Sequence, residues 1–549
     1  MSLSTHINAE KVLQAAREHS HRHGRPPVHE LLGREQQGVY DLPPSADRYD
    51  TEPIPKYSIP SKGVPPRVAY DLVNSELALD GKPFTNLASF VHTSMDEYGD
   101  RLTYENRAIN LIDGDEYPAT QMIHARLVSM VAKLWHAADQ GENATGCATT
   151  GSSEAAQLGG LAMKKRWQER RKAEGKSIHE PGPNIVMGAN AQVALEKFAR
   201  YFDVEARMVP VDASTDYVLD PKRAMEYVDE NTIGVYVILG STYTGTYESV
   251  QGMSDLLDEY EAKTGVFVPI HVDAASGGFF APFATPSLKW DFQLPRVVSI
   301  NASGHKYGRA YVGVGIVIWR DKKHLPKDLV FTLTYLGSVE HSFSLNFSRP
   351  AAQVIGLYYL LIQNGFEGYR QVALHDAKNA RLFANALEKS KYFKVVSRGH
   401  LPKEETSLTE KVKGTVGASD SIDSYIPTLP VVAFMFSDKF KQEYPHVKQV
   451  SVQKMLRQRE WIVPNYDLPP NAEKEEVLRV VFREKFTEDL TERLFSDIID
   501  ITETLMSEHK DDVHHRDNNV PQAKGRTMHE KLASSHFEGT KPVGHDSVC

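Results

Sequence analysis

The four consecutive residues of this chain best suited to chemistry are Ser303-Gly304-His305-Lys306. A lysine amine attacks a carbonyl only when unprotonated, and burial beside other positive groups lowers its pKa. Lys306 follows the strand-like run 297–300, which puts it at a strand end, flanked by His305 and small residues, in position to form a Schiff base. Taken alone, the motif fits a surface lysine in a turn at least as well.

A second cluster is His271-Val272-Asp273-Ala274-Ala275-Ser276-Gly277-Gly278. Alternation along a strand puts His271, Asp273 and Ala275 on one side. A carboxylate at the end of a buried strand is costly unless it meets a cation, and a protonated pyridine nitrogen is such a cation. The plainer reading is an aspartate that caps the next turn.

A third is Thr149-Thr150-Gly151-Ser152-Ser153-Glu154-Ala155, leading into a helix with Ala155, Leu158 and Ala162 on one face. Hydroxyls and free amides at a helix N-terminus make a phosphate cradle, although serine before Glu-Ala is also simply a good N-cap. The order of the three is more telling than any one. A phosphate cradle, a strand-end aspartate and a His-Lys pair 33 residues beyond that aspartate meet three requirements of one cofactor.

These residues must be held by a framework, and the pattern from about 120 to 320 supplies one. Strand-like runs at 185–187, 235–239, 266–273, 297–300 and 312–319 alternate with helical stretches such as 251–263, where Leu256, Leu257 and Tyr260 share a face and Gly265 marks the stop. Such alternation predicts an α/β fold, a mostly parallel sheet with helices on both faces. After a polar stretch at 398–425, strand-like 431–436 and 477–482 and helical 452–460 and 490–506 predict a small C-terminal α+β domain. The expected organisation is an N-terminal arm over 1–70 with one short helix at 10–18, a large cofactor-binding domain over 71–375, the small domain over 376–508, and a flexible tail over 509–549. The histidines of that tail, His514, His515, His529, His536 and His545, read as solvated.

Composition narrows the classes further. Of the 549 residues, 41% are apolar and 25% charged, as in ordinary globular proteins. A net charge of -9 argues against a sequence-independent nucleic-acid binder, which needs a basic face. The two cysteines cannot build a disulfide framework or a zinc site, so no metal is expected and the chain reads as cytoplasmic. The longest clean apolar runs are strand-length, so no membrane span is expected.

The motifs also carry a family resemblance. Over about 86–483 the chain resembles the pyridoxal-phosphate-dependent amino-acid decarboxylases, specifically the glutamate decarboxylases of the bacterial, plant and fungal kind. The resemblance rests on Asn86-Leu87-Ala88-Ser89-Phe90, Tyr243-Thr244-Gly245, the run 271–278, Ser303 to Lys306, and Asn346-Phe347-Ser348-Arg349-Pro350. It implies a pyridoxal-phosphate-transferase-like large domain and the cofactor pyridoxal 5'-phosphate, with Lys306 in the internal aldimine and Asp273 on the pyridine nitrogen. It also implies that Ala275 and Gln192 sandwich the ring and that Thr242 touches its phenolic oxygen. Ser152, Ser153 and His305 would hold the phosphate, with Ser348 arriving from a neighbouring subunit. Ser89, Phe90, Asn110 and Asp113 match the pocket for the distal carboxylate, Arg479 the substrate-anchoring arginine, and Tyr335 a proton donor on a mobile loop at 334–343.

The implied reaction turns L-glutamate into 4-aminobutyrate and CO₂ by way of an external aldimine and a quinonoid. The implied assembly is a homo-oligomer, at least a dimer and compatibly a hexamer. Ser89 stands where some members have threonine, which keeps the hydroxyl. The tail lacks tryptophan and an evident basic amphipathic helix, so calmodulin binding is not supported. A substrate carboxylate beside Asp113 would be a like-charge contact, which predicts an activity optimum on the acid side of neutral. Competing readings are the same chemistry on aspartate or cysteine sulfinate, a pyridoxal-phosphate aldolase or aminotransferase, and a non-catalytic binding or regulatory member.

Overall fold

The computed structural model describes residues 57–137, 144–333, 340–403 and 422–516. The expected helix at 10–18, Tyr335 and the last 33 residues lie outside that set. The chain divides into two units, Met1–Asp80 and Gly81–Cys549. Within the first is α1 (Pro66–Leu77), a helix the sequence reading did not name. Pro66 opens it at a position where its missing N–H costs nothing.

The second unit holds everything else. Its helices of nine residues or more are α2 (Glu97–Glu105), α3 (Pro118–Leu134), α4 (Ser152–Ala173), α5 (Val193–Tyr201), α6 (Val250–Thr264), α7 (Ala352–Ser390), α8 (Gln449–Gln458) and α9 (Glu488–Arg516). Its large sheet is built from β1 (Gly146–Thr149), β2 (Asn184–Gly188), β3 (Glu205–Val209), β4 (Thr232–Ile238), β5 (Ile270–Asp273), β6 (Val297–Ser303) and β7 (Gly315–Trp319), in the order β1-β7-β6-β5-β4-β2-β3. Only β7 runs against its neighbours, so the sheet is mostly parallel as the strand–helix alternation predicts. All residues of β2, β4, β5, β6 and β7 are buried, as expected where helices cover both faces.

A short ribbon pairs β8 (Phe331–Leu333) with β9 (Glu340–Ser342). The smaller sheet, β10 (Phe393–Val395), β11 (Val431–Phe436), β12 (Asn465–Asp467) and β13 (Glu476–Val481), is antiparallel throughout in the order β10-β11-β13-β12. The 39-residue α7 links the two sheets' cores. Leu357 and Leu360 pack in the core of the large sheet, while Phe383 and Leu387 pack beside Phe434 and Leu478 of the small one. The helix bends at Gly365, whose φ of 58° favours glycine. Among the described residues no helix is long and apolar enough to cross a membrane.

Several strand ends differ from the sequence reading for physical reasons. β5 begins at Ile270 rather than 266, directly after Pro269, which has no N–H to give a ladder. β7 begins at Gly315, two residues after Gly313 turns the chain at φ 112°. β6 continues three residues past 300, where the Asn301 side chain finds Asp273 and the Ser303 N–H finds the Ala275 carbonyl in the interior.

Candidate active site

The site forms at the C-terminal ends of β5 and β6, where ligands bind in open parallel sheets. Lys306 lies three residues beyond β6 and is buried, its Nζ 3.3 Å from the Ser276 hydroxyl and 5.2 Å from the centroid of the Phe90 ring. Asp273 ends β5, also buried. Both hydrogen bonds to its side chain, from the Asn301 amide at 2.8 Å and the Ala275 N–H at 3.1 Å, fall on Oδ1. Oδ2 therefore keeps its capacity to meet a cationic N–H, which suits a protonated ring nitrogen.

The cradle lies at the N-terminus of α4, where Ser152 and Ser153 are the first two helical residues after Gly151. A helix of 22 residues presents free amides and the positive end of its dipole there. Close packing brings this end onto the sheet: a Cβ at Gly315 would lie 2.3 Å from the Gly151 carbonyl carbon and 2.7 Å from the Ser152 nitrogen. His305 flanks the cradle, its Nδ1 2.8 Å from the Val314 carbonyl, so Nδ1 carries the proton and Nε2 is the other face of the ring. Burial, and secondarily the neighbouring Lys306, push the His305 imidazole down to about 4. An anion beside it would oppose that shift.

The small sheet closes the site from another side. Arg479, on β13, is fully buried and donates to the Thr242 carbonyl at 2.6 Å and to the Ala88 carbonyl. Its guanidinium carbon sits 5.1 Å from the Phe90 centroid and 5.4 Å from that of Tyr466. Its buried Nε has no hydrogen-bond partner, an orphan donor of the kind a carboxylate relieves. Arg483 donates to the Asn86 carbonyl at 2.8 Å and to the Val91 carbonyl, so two arginines pin the segment that carries Ser89 and Phe90. Phe90 thus lies against both Lys306 and Arg479, an aromatic ring near two cations.

Lys306, Asp273, His305, Ser152, Ala275, Phe90, Thr242 and Arg479 are thereby brought together. Ser89 lies next to Phe90 in the pinned segment, and its hydroxyl accepts from the Val91 N–H at 3.1 Å. Gln192 is occupied locally: its side-chain carbonyl accepts from the Ala194 N–H at 2.6 Å and caps α5. Asn110 and Asp113 form a separate group with Ser348. The Asn110 amide lies 3.5 Å from Asp113 and 3.4 Å from the Ser348 hydroxyl, and no hydrogen bond among the described residues joins them to Ser89 or Arg479. Glu154 fastens this group's loop to the cradle, accepting from the Thr150 N–H and hydroxyl and from the backbone and side chain of Asn346.

Two residues with a direct part in this geometry, Ser276 and Asn301, were not singled out in the sequence. Ser276 stood inside the quoted 271–278 run. Asn301 had its own signal, the polar residues Ser299, Asn301 and Ser303 at alternate positions of a strand buried at all seven.

Comparison with known proteins agrees with the geometry. The pattern of the pyridoxal-dependent decarboxylase conserved domain matches residues 68–405. Glutamate decarboxylase of Saccharomyces cerevisiae is 45% identical over 499 residues, 87% of this chain and 84% of the yeast protein. That of Solanum lycopersicum is 48% identical over 464 residues, 84% of this chain and 85% of the tomato protein. Among solved structures, a glutamate decarboxylase of Lactobacillus brevis superposes with a TM-score of 0.75 at 37% identity, covering 84% of this chain and 97% of that one. A Burkholderia pseudomallei sphingosine-1-phosphate lyase, at 20% identity and a TM-score of 0.65, shares the fold, covering 85% of this chain and 98% of its own.

Proposed function

The chain belongs to the pyridoxal-dependent decarboxylases, and from that premise we propose that it removes the α-carboxylate of L-glutamate, giving 4-aminobutyrate and CO₂. The observation that carries this reading is the buried Lys306 and Asp273 at adjacent strand ends, facing a helix N-terminus built to hold a phosphate. The reaction takes up one proton, because the α-carbon gains a hydrogen where the carboxylate leaves.

Pyridoxal phosphate, when bound, supplies the electron sink that accepts the pair left behind by CO₂. Every other task falls to this chain. Lys306 Nζ would supply the amine that holds the cofactor, and Asp273 Oδ2 would accept from its ring N–H. The α4 amides with Ser152, Ser153 and His305 hold the phosphate. Ala275, Gln192 and Thr242 would be the contacts of the cofactor's ring. Arg479 anchors a substrate carboxylate through its guanidinium, while Ser89 and Phe90 line the side chain's pocket. Phe90 also screens the reacting carbon from water, which strengthens the electrostatics around it. Lys306 Nζ and the Tyr335 hydroxyl are the groups assigned to deliver the proton to the α-carbon.

Asn110, Asp113 and Ser348 complete the site of a second copy. The exposure of Ser348 and its fastening to the half-buried Asn110 support this, which would make the working unit at least a homodimer, and we place it in the cytoplasm. The test is a panel of acidic amino acids with added cofactor in mildly acid buffer. Equal yields of CO₂ and 4-aminobutyrate from L-glutamate are expected, with aspartate and cysteine sulfinate far slower. Turnover of either rival instead would keep the chemistry and overturn the pocket assignment, and a chain that binds cofactor but turns over none of the three would be a binding protein.

A further inference from the structure

The cradle and the ring-nitrogen partner are two ends of one site, and a single side chain joins them. Asn301 donates one amide hydrogen to Asp273 Oδ1 at 2.8 Å and the other to Ser152 Oγ at 2.9 Å, while its carbonyl lies 2.6 Å from His271 Nε2. His271 Nδ1 lies 2.7 Å from the Ser299 hydroxyl. These four contacts have one consistent set of proton positions. An amide nitrogen can only donate, and a carboxylate only accepts. The Asn301 carbonyl must then accept, so His271 bears its proton on Nε2 and accepts a hydrogen bond from the Ser299 hydroxyl at Nδ1. Burial holds the His271 imidazole well below its ordinary value, which keeps it neutral as this order requires.

The order has a consequence at each end. Ser152 Oγ accepts from Asn301, so its own hydroxyl hydrogen is directed elsewhere, as a donor towards an anion in the cradle. Asp273 Oδ1 is held as an acceptor, which leaves the capacity of Oδ2 for a ring N–H.

The backbone is arranged to make this possible. Between Ile270 and His271 the pairing of β5 with β6 slips by one residue, so that His271 faces Ser299 and Asp273 faces Asn301. Continued without the slip, the pairing Ile270 with Val297 would set His271 beside Val298 and Asp273 beside Ile300, apolar side chains with nothing to donate. Bulges of this kind re-aim side chains beside active sites. α4 seals the chain from water: a Cβ at Gly159 would fall 2.3 Å from the His271 ring.

We infer that Asn301 is a positioning residue that orients Ser152 as a donor to the cofactor's phosphate and Asp273 as the acceptor at its ring, so that both ends of the site are set by one amide. This rests on Ser152 as a phosphate ligand, and the test separates the two claims. The cofactor dissociation constant would be measured by fluorescence quenching of the apoenzyme for Asn301→Ala, Ser152→Ala and the double variant, with Asn301→Ser in place of alanine if that variant does not fold. Each single change should weaken cofactor binding about tenfold or more, the scale of a hydrogen bond to a charged group. The double variant should be little weaker than the worse single one, because the two residues act through the same hydroxyl. Asn301→Ala should also shift the visible absorbance of the bound cofactor, since Asp273 loses its donor. Independent, multiplying effects with an unmoved band would overturn the role of Asn301, as a packing residue would behave that way. An undiminished affinity in Ser152→Ala would overturn the phosphate assignment itself.

Discussion

Two groups of polar residues in this molecule differ in how they are held. Around Lys306 and Asp273 the side chains are buried, and the bonds that orient Asp273, Asn301 and His271 run between 2.6 and 3.1 Å. Around Asn110 and Ser348 the Asn110 amide nitrogen has only contacts of 3.4 and 3.5 Å, although its oxygen accepts from the Arg349 N–H at 3.1 Å, on a surface where Ser348 is exposed. Buried polar groups are costly to leave unpaired, so they are paired within the chain or, like Arg479 Nε, await a ligand. Exposed groups carry no such demand and are free to find partners elsewhere. The contrast fits the proposal that Lys306, Asp273, Arg479 and Phe90 work within one chain while Asn110, Asp113 and Ser348 serve a second copy.

The largest expected effect is on the buried side. Lys306→Ala should lower turnover of L-glutamate by at least about a thousandfold, the scale of losing an enzyme's covalent nucleophile, read as CO₂ release. Retained turnover would remove the buried group from the chemistry. A smaller effect is expected on the exposed side. Asp113→Asn should move the pH optimum towards neutrality, because the like-charge contact with a substrate carboxylate is gone. An unmoved pH profile would detach Asp113 from substrate recognition.

The smallest effect concerns stability, and again only the buried side should contribute. Burial pushes His92 down to about 3 and His124 down to about 4, as it does His305, and it holds His271 low as well. Each of these four is neutral when folded, so its contribution is present above the ordinary 6.5 and is lost as pH falls towards 4. Two buried carboxyls act oppositely: burial raises Glu248 to about 7 and Asp376 to about 6, so the folded chain takes up those protons first. Four protons refused against two accepted leaves the unfolded chain binding more. The urea midpoint of the cofactor-free protein should therefore drop between pH 6.5 and 5. A midpoint that rises instead would reverse the sign argued here.

The same contrast explains what could be read from the sequence. Lys306, Asp273 and the α4 cradle announced themselves because strand ends and helix starts have local signatures. The strands 431–436 and 477–482 of the small sheet were equally plain from their apolar runs, observed as Val431–Phe436 and Glu476–Val481. Arg479 was found only through resemblance, since nothing local marks an arginine on a buried strand as facing a site. Asn301 was overlooked because its meaning depends on the register slip that sets it opposite Asp273, and register belongs to the sheet rather than to either strand. Gln192 shows the converse, a residue read as a cofactor contact that a strong local use, the cap of α5, also claims.

The most direct test of the two-chain site is a mixed oligomer. Lys306→Ala chains would be combined with chains carrying Asn110→Ala and Ser348→Ala, each poorly active by itself, and turnover of L-glutamate compared with the unmixed variants. The account predicts recovery of a definite fraction of activity, because one kind of mixed site unites an intact Lys306 with an intact Asn110 and Ser348. Mixed oligomers no more active than the sum of their parents would contradict it, placing both halves of the site within a single chain.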